Sequence, residues 1–138
     1  MKPDVWTIHA SSTVIIHTGV RDASLKLDGM PWFAFNGDEV IIPKGEHTLT
    51  INGNPSINPA LKITRISGEL ISAVFSQDKI QFSYSEDVVS CYITLDAKPD
   101  EIFIDGKKTD CPVYKGSNAE FTVRLPAGIH KVRFLKEK

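Results

Sequence analysis

Hydrophobic and polar residues along this chain alternate with a period close to two, and no window of about 11 residues carries the stripe of an amphipathic helix. The pattern predicts an all-β chain. Short alternating or β-branched runs stand at Val5–Ile8, Thr13–His17 and Ser24–Leu27, closed by Ser11-Ser12, Gly19 and Asp28-Gly29. Glu39–Ile42 and His47–Ile51 flank Pro43-Lys44-Gly45-Glu46, where proline presets one backbone angle and glycine permits a positive one, so the two runs read as a hairpin. Asn52 to Pro59 is dense in breakers, and its prolines cannot donate to a sheet ladder, which places a module boundary there. Further runs follow at Leu61–Ile66, Leu70–Phe75, Ile80–Tyr84, Val88–Leu95, Glu101–Ile104, Glu120–Leu125 and Ile129–Leu135. Leu61–Ile66 is ambiguous between a strand and a single helical turn after Pro59.

The chain also repeats itself. Ser24-Leu-Lys-Leu-Asp-Gly29, then Val40-Ile-Ile-Pro-Lys-Gly-Glu-His-Thr-Leu-Thr-Ile51, returns as Glu101-Ile-Phe-Ile-Asp-Gly106, then Val123-Arg-Leu-Pro-Ala-Gly-Ile-His-Lys-Val-Arg-Phe134. Asp-Gly, Val, Pro, Gly and His coincide. The two glycines lie 16 residues apart in the first copy and 22 in the second, so six extra residues fall within Lys107 to Asn118. Physically this is a strand ending in an Asp-Gly turn, a variable loop, and a Pro-x-Gly-x-His corner that reverses the chain.

A strand, Asp-Gly-Lys, a loop, and an apolar strand running into Leu-Pro-Ala-Gly-x-His-x-Val-x-Phe together resemble the small β-sandwich repeats of the PEGA type. They also resemble terminal accessory β-sandwiches of secreted bacterial polysaccharide-degrading enzymes. The resemblance covers residues 100–134 well and 23–51 moderately. It departs in the loop after Asp-Gly-Lys, where PEGA repeats are proline-rich and this chain has only Cys111-Pro112. The resemblance implies a non-catalytic module of a larger extracytoplasmic protein, whether periplasmic, cell-surface or secreted.

Composition narrows the function classes. With 138 residues and a net charge of -1, the chain is large enough for a core without a cofactor and lacks the basic excess of a nucleic-acid binder. No run of 18 apolar residues provides a membrane span, and the opening Met-Lys-Pro-Asp-Val-Trp lacks the apolar core of a signal peptide. That opening fits an excised piece of a larger protein and an intact cytoplasmic protein equally.

Candidate chemistry is sparse. His47 and His130 hold equivalent repeat positions and read as closing the corner by hydrogen bonds to backbone, the alternative being a ligand role. His9 and His17 lie on neighbouring strands, where they could approach each other; a metal site would also need a carboxylate. Asp28, Asp38, Asp96, Asp100, Asp105 and Asp110 cluster at turns, where aspartate usually bonds its own backbone, and no calcium-loop motif is present. Neither a paired-carboxylate cleft nor a Gly-x-Ser-x-Gly elbow stands out. Cys91 reads as a buried small apolar residue in the inward series Val89, Cys91, Ile93, Leu95, and Cys111 as a loop residue able to pair with it in an oxidising compartment.

Aromatic residues remain. Trp32, in the loop after the first Asp-Gly turn, is expected to point outward as a platform on which the apolar face of a sugar stacks, with Tyr114 in the corresponding loop of the second copy. The alternative is that Trp32 caps the core; Trp6 and Tyr84 read as core or edge packing. The reading is two related small β-sandwich modules, residues 1–57 and 60–138, packed in tandem. Their expected role is that of a non-enzymatic accessory or binding module of a secreted bacterial protein, with a glycan or the parent protein's other domains as partner. The alternative is a structural spacer or protein-interaction domain with no small ligand.

Overall fold

The computed structural model describes residues 4–21, 23–51 and 59–137, which form strands and no helix. Before the undescribed segment 52–58 lie β1 (Asp4–Ala10), β2 (Val14–His17), β3 (Leu25–Leu27), β4 (Met30–Pro31), β5 (Phe35–Asn36), β6 (Glu39–Ile42) and β7 (Gly45–Ile51). After it lie β8 (Ile63–Ile66), β9 (Glu69–Phe75), β10 (Lys79–Glu86), β11 (Cys91–Leu95), β12 (Glu101–Ile104), β13 (Lys107–Lys108), β14 (Val113–Lys115), β15 (Phe121–Leu125) and β16 (Gly128–Leu135). The all-β expectation holds, and the ambiguous Leu61–Ile66 run is a strand. Apart from Pro59, the breaker-rich stretch lies outside the described residues.

The strands form four small antiparallel sheets, in the orders β1-β7-β3-β4, β2-β6-β5, β13-β12-β16-β10-β9 and β14-β15-β11-β8. Each sheet takes its strands from one side of the segment 52–58. One parallel bridge, Ala34 to Ile63, links the two sides, and the Ile63 N–H donates to the Phe33 carbonyl at 2.9 Å. A single apolar core runs through both halves, from Leu25, Leu27 and Ile42 to Ile93, Val123 and Phe134.

The pairing corrects one expectation. β6 and β7 do not form a hairpin: β6 lies between β2 and β5, and β7 between β1 and β3. The Pro-Lys-Gly-Glu corner is an arch that carries the chain from one sheet into another, and the same holds for β15 and β16. Alternation along Val40, Ile42, Leu49 and Ile51 is satisfied either way, because each strand buries one face whether its successor lies beside it or in another sheet. A second correction concerns Val88 and Val89, which precede β11 in an exposed turn, so that the inward series begins at Cys91.

The repeat extends beyond the quoted motifs. Leu25 and Leu27 pair with Ile51 and Leu49, as Ile102 and Ile104 pair with Phe134 and Val132. Phe35 pairs with Val40 as Val113 pairs with Val123, and Val14 and Ile16 pair with Ile42 and Val40 as Cys91 and Ile93 pair with Leu125 and Val123. Trp6 and Ile8 oppose Leu49 and His47 as Phe82 and Tyr84 oppose Val132 and His130. These matches put one of the second copy's extra residues between Thr109 and Pro112 and the other five in the β14–β15 hairpin. β8 and β9 have no counterpart among the described residues of the first half.

Gly45 and Gly128 occupy the same place in their arches, with φ of 120° and 108°, a region that residues with a Cβ rarely adopt. A Cβ at Gly128 would sit 3.2 Å from His130 Nε2, against 3.5 Å from His47 Nε2 at Gly45. Gly128→Ala is therefore expected to lower stability by about 1–3 kcal/mol, and by more than Gly45→Ala, in urea denaturation. Equal or negligible losses would contradict this reading of the corner.

Candidate functional site

Each arch is locked by an aspartate and a histidine. Asp28-Gly29 and Asp105-Gly106 have positive φ at both positions, the two-residue turn that matches the twist of a hairpin. That turn aims the carboxylate at the returning strand. Asp28 Oδ1 accepts the Thr48 N–H at 2.8 Å, and Oδ2 lies 2.7 Å from His47 Nδ1. Asp105 does the same to the Lys131 N–H at 3.0 Å and to His130 Nδ1 at 2.7 Å. The other ring nitrogen faces a corner carbonyl, Lys44 O at 3.2 Å for His47 and Ala127 O at 2.9 Å for His130.

The backbone bond expected of both histidines is present, and the carboxylate is what residue spacing did not reveal. An Asp–His pair invites comparison with a catalytic dyad, but here both ring nitrogens are engaged and neither is left to move a proton. The hydrogen bond to Asp105 raises the pKa of His130, and the bond from His130 holds that of Asp105 down. Partial burial works against the Asp28 carboxylate, yet the bonds from His47 and the Thr48 N–H outweigh it and hold its pKa low. Asp96 and Asp100 also bond distant backbone, accepting the Lys62 N–H at 2.7 Å and the Glu137 N–H at 2.9 Å. At these four positions aspartate ties strands together, where composition alone suggested self-contained turns.

His9 and His17 lie in different sheets, each near its own carboxylate: Glu46 at 3.1 Å and Asp38 at 3.8 Å. Cys91 and Cys111 are free, and burial pushes both thiols up, away from the reactive thiolate.

Trp32 does not point outward. It is 3% exposed, its indole N–H donates to the Ile41 carbonyl at 3.0 Å, and its ring stands edge-on to Phe75 at 5.2 Å. Phe75 comes from β9, so the second half of the chain buries the indole that local sequence left free. Tyr84 is also buried, its hydroxyl donating to the Pro126 carbonyl at 2.6 Å.

Tyr114 does lie on the surface, 50% exposed, on β14. It pairs with Thr122, while Tyr92 on β11, 42% exposed, pairs with Arg124. Cross-strand partners share a face and positions two apart share a face, so Tyr114, Thr122, Arg124 and Tyr92 lie on one outer surface of the β14-β15-β11-β8 sheet. From strand spacing and rise, the two tyrosine Cα atoms are about 12 Å apart. Between them Thr94 and Thr122 share a hydrogen bond of 3.0 Å, and Arg124 Nε donates to Ser90 at 3.0 Å. The face thus carries two aromatic rings separated by polar groups already held in place. Tyr92 alternates out of step with the buried Cys91 and Ile93, and that alternation is the signal that would have found it.

Depressions also mark the surface. A cleft of about 710 Å³ lies where the β8–β9 turn meets the first half, lined by Thr13, Ile15, Ile41, Arg65, Glu69 and Glu86 among others. Glu69 is occupied there, its Oε1 accepting the Thr13 N–H at 2.7 Å. A smaller hollow of about 350 Å³ lies along β10, β16 and β12, where the Arg133 guanidinium stacks 4.4 Å from the Phe103 ring. Neither lining includes a histidine or cysteine. Comparison with protein-family models, with curated proteins and with solved structures finds no match to this chain.

Trp32→Ala is expected to cost about 3–5 kcal/mol in chemical denaturation, the range for deleting a buried aromatic side chain. A loss below about 1 kcal/mol would show that the indole does not contribute to the core. The arch pairs set a pH dependence. The raised pKa of His130 means that its contribution is complete below the unfolded value of 6.5 and is lost as pH rises through the folded value. The lowered pKa of Asp105 means that its contribution is complete above 3.8 and is lost as pH falls. The melting-temperature gap between the wild type and His130→Ala should therefore be widest between those two values and narrow on either side. A gap independent of pH would refute the ion-pair account.

Proposed function

We propose that this chain is a non-catalytic accessory module of a larger protein, built from two related Ig-like or PEGA-like β-sandwich units, and that it contacts glycans through Tyr92 and Tyr114. The observation that carries the reading is the placement of two exposed tyrosines on one face, with Thr122 and Arg124 between them. A pyranose offers an apolar C–H face to a tyrosine ring, while hydroxyl and guanidinium groups take up the sugar hydroxyls. The residues shared by the two repeats support a non-catalytic role, because Asp, Gly and His are consumed in holding the arches. An extracytoplasmic parent protein rests on the resemblance of the repeat to PEGA-type modules.

Tyr92→Ala and Tyr114→Ala are each expected to weaken binding to a retained polysaccharide about tenfold in affinity electrophoresis over a panel of soluble glycans. Neither should change stability by more than about 0.5 kcal/mol, as is usual for surface substitutions. Indifference of the wild type to the panel, or binding that survives both substitutions, would overturn the glycan reading and favour a protein-interaction or spacer module.

A further inference from the structure

The two repeats differ in how well the same core positions are covered. Phe82, Tyr84, Cys91 and Ile93 are buried, whereas their counterparts Trp6, Ile8, Val14 and Ile16 are only partly so, packed against the rim of the core. The difference is the β8–β9 arch. β9 pairs with β10 and β8 with β11, and the arch brings Leu61, Ile63, Leu70 and Phe75 over that end of the second repeat. Among the described residues β1 pairs only with β7 and β2 only with β6.

The remaining sheet margins are blunted in the usual ways. β4 ends in Pro31, β13 is two lysines, β14 follows Pro112 and ends in Lys115, and β5 has two residues. The edge of β8 meets the first half through Ala34, and β9 is held there by Phe75 against Trp32 and Phe33. By contrast β1 runs seven residues in unbroken register with β7 and contains neither proline nor lysine. Its backbone direction is settled by β7. Thr48 bonds to Asp28 through both its N–H and its C=O, so Leu49 and His47 turn toward β1 and bond Trp6 and Ile8. By alternation Val5, Thr7 and His9 direct their N–H and C=O groups to the open side. On β2 the same reasoning, from the Ile41 N–H donating to Ala34, turns Ile15 and His17 outward.

We propose that this end of the first repeat is a docking site for a strand-turn-strand arch of a partner polypeptide. One strand would pair antiparallel with β1 and the other with β2, each bringing large apolar side chains at alternate positions over Trp6, Ile8, Val14 and Ile16. The occupant is specified by the chain itself, which places such an arch on the equivalent strands of its second repeat. The proposal is independent of the tyrosine face, which lies in another sheet.

The test uses the intact chain and a synthetic peptide of residues 59–78, the chain's own covering arch supplied in trans. Residue-resolved amide hydrogen exchange should show the outward amides of Val5, Thr7, His9, Ile15 and His17 slowing at least tenfold at saturating peptide. Thr7→Pro, which removes an outward donor and no bond to β7, should abolish that protection with the melting temperature unchanged. Should Thr7→Pro lower the melting temperature, His17→Pro at the end of β2 provides the same test. Three outcomes would overturn the proposal. They are no slowing at millimolar peptide, slowing confined to β10 and β11 through exchange with the resident arch, and protection of β1 and β2 without peptide that grows with protein concentration, the signature of a second copy. None of them bears on glycan binding.

Discussion

The carboxylate of an aspartate in a two-residue turn, reaching across to the backbone and histidine of a distant strand, is the contact on which both halves of this molecule depend. Each arch must turn the chain out of one sheet and into another, which leaves corner carbonyls and strand N–H groups without ladder partners. Unmet, such groups are expensive to bury or even to screen partly from water. Asp28 with His47, and Asp105 with His130, meet them with the same three bonds. The aspartate can do this only because the turn holds it at positive φ, a conformation aspartate and asparagine tolerate better than most residues with a Cβ.

Once the arches are set, burial follows from which strands flank them. The inward positions of the two repeats are equivalent in register, yet they are covered unequally, because the second repeat carries two additional strands that have no counterpart among the described residues of the first. Those strands do a second job, since β9 brings Phe75 against Trp32 and Phe33 and so joins the halves through an aromatic cluster. The indole that local sequence would leave as a free platform is the place where the two halves are joined. Surface aromatic character is carried by tyrosines on a strand face, where the backbone ladder fixes their spacing and a loop would not.

Read along the chain, local chemistry determined a great deal. The period of two, the Asp-Gly turns, the breaker-rich segment and the duplicated Pro-x-Gly-x-His corner are properties of neighbouring residues, and they sufficed for the all-β class, the repeat, a structural role for His47 and His130, and the exposure of Tyr114. Tertiary structure decided what alternation is blind to. A strand with one buried face has the same pattern whether the next strand lies beside it or in another sheet, so arch and hairpin were indistinguishable at Pro43–Glu46. The fate of Trp32 depended on Phe75, more than forty positions away. The kinship of Tyr92 with Tyr114 depended on β15 running between their strands. Pairing partners are chosen by hydrogen bonds and packing between distant segments, and only the folded chain brings those segments together.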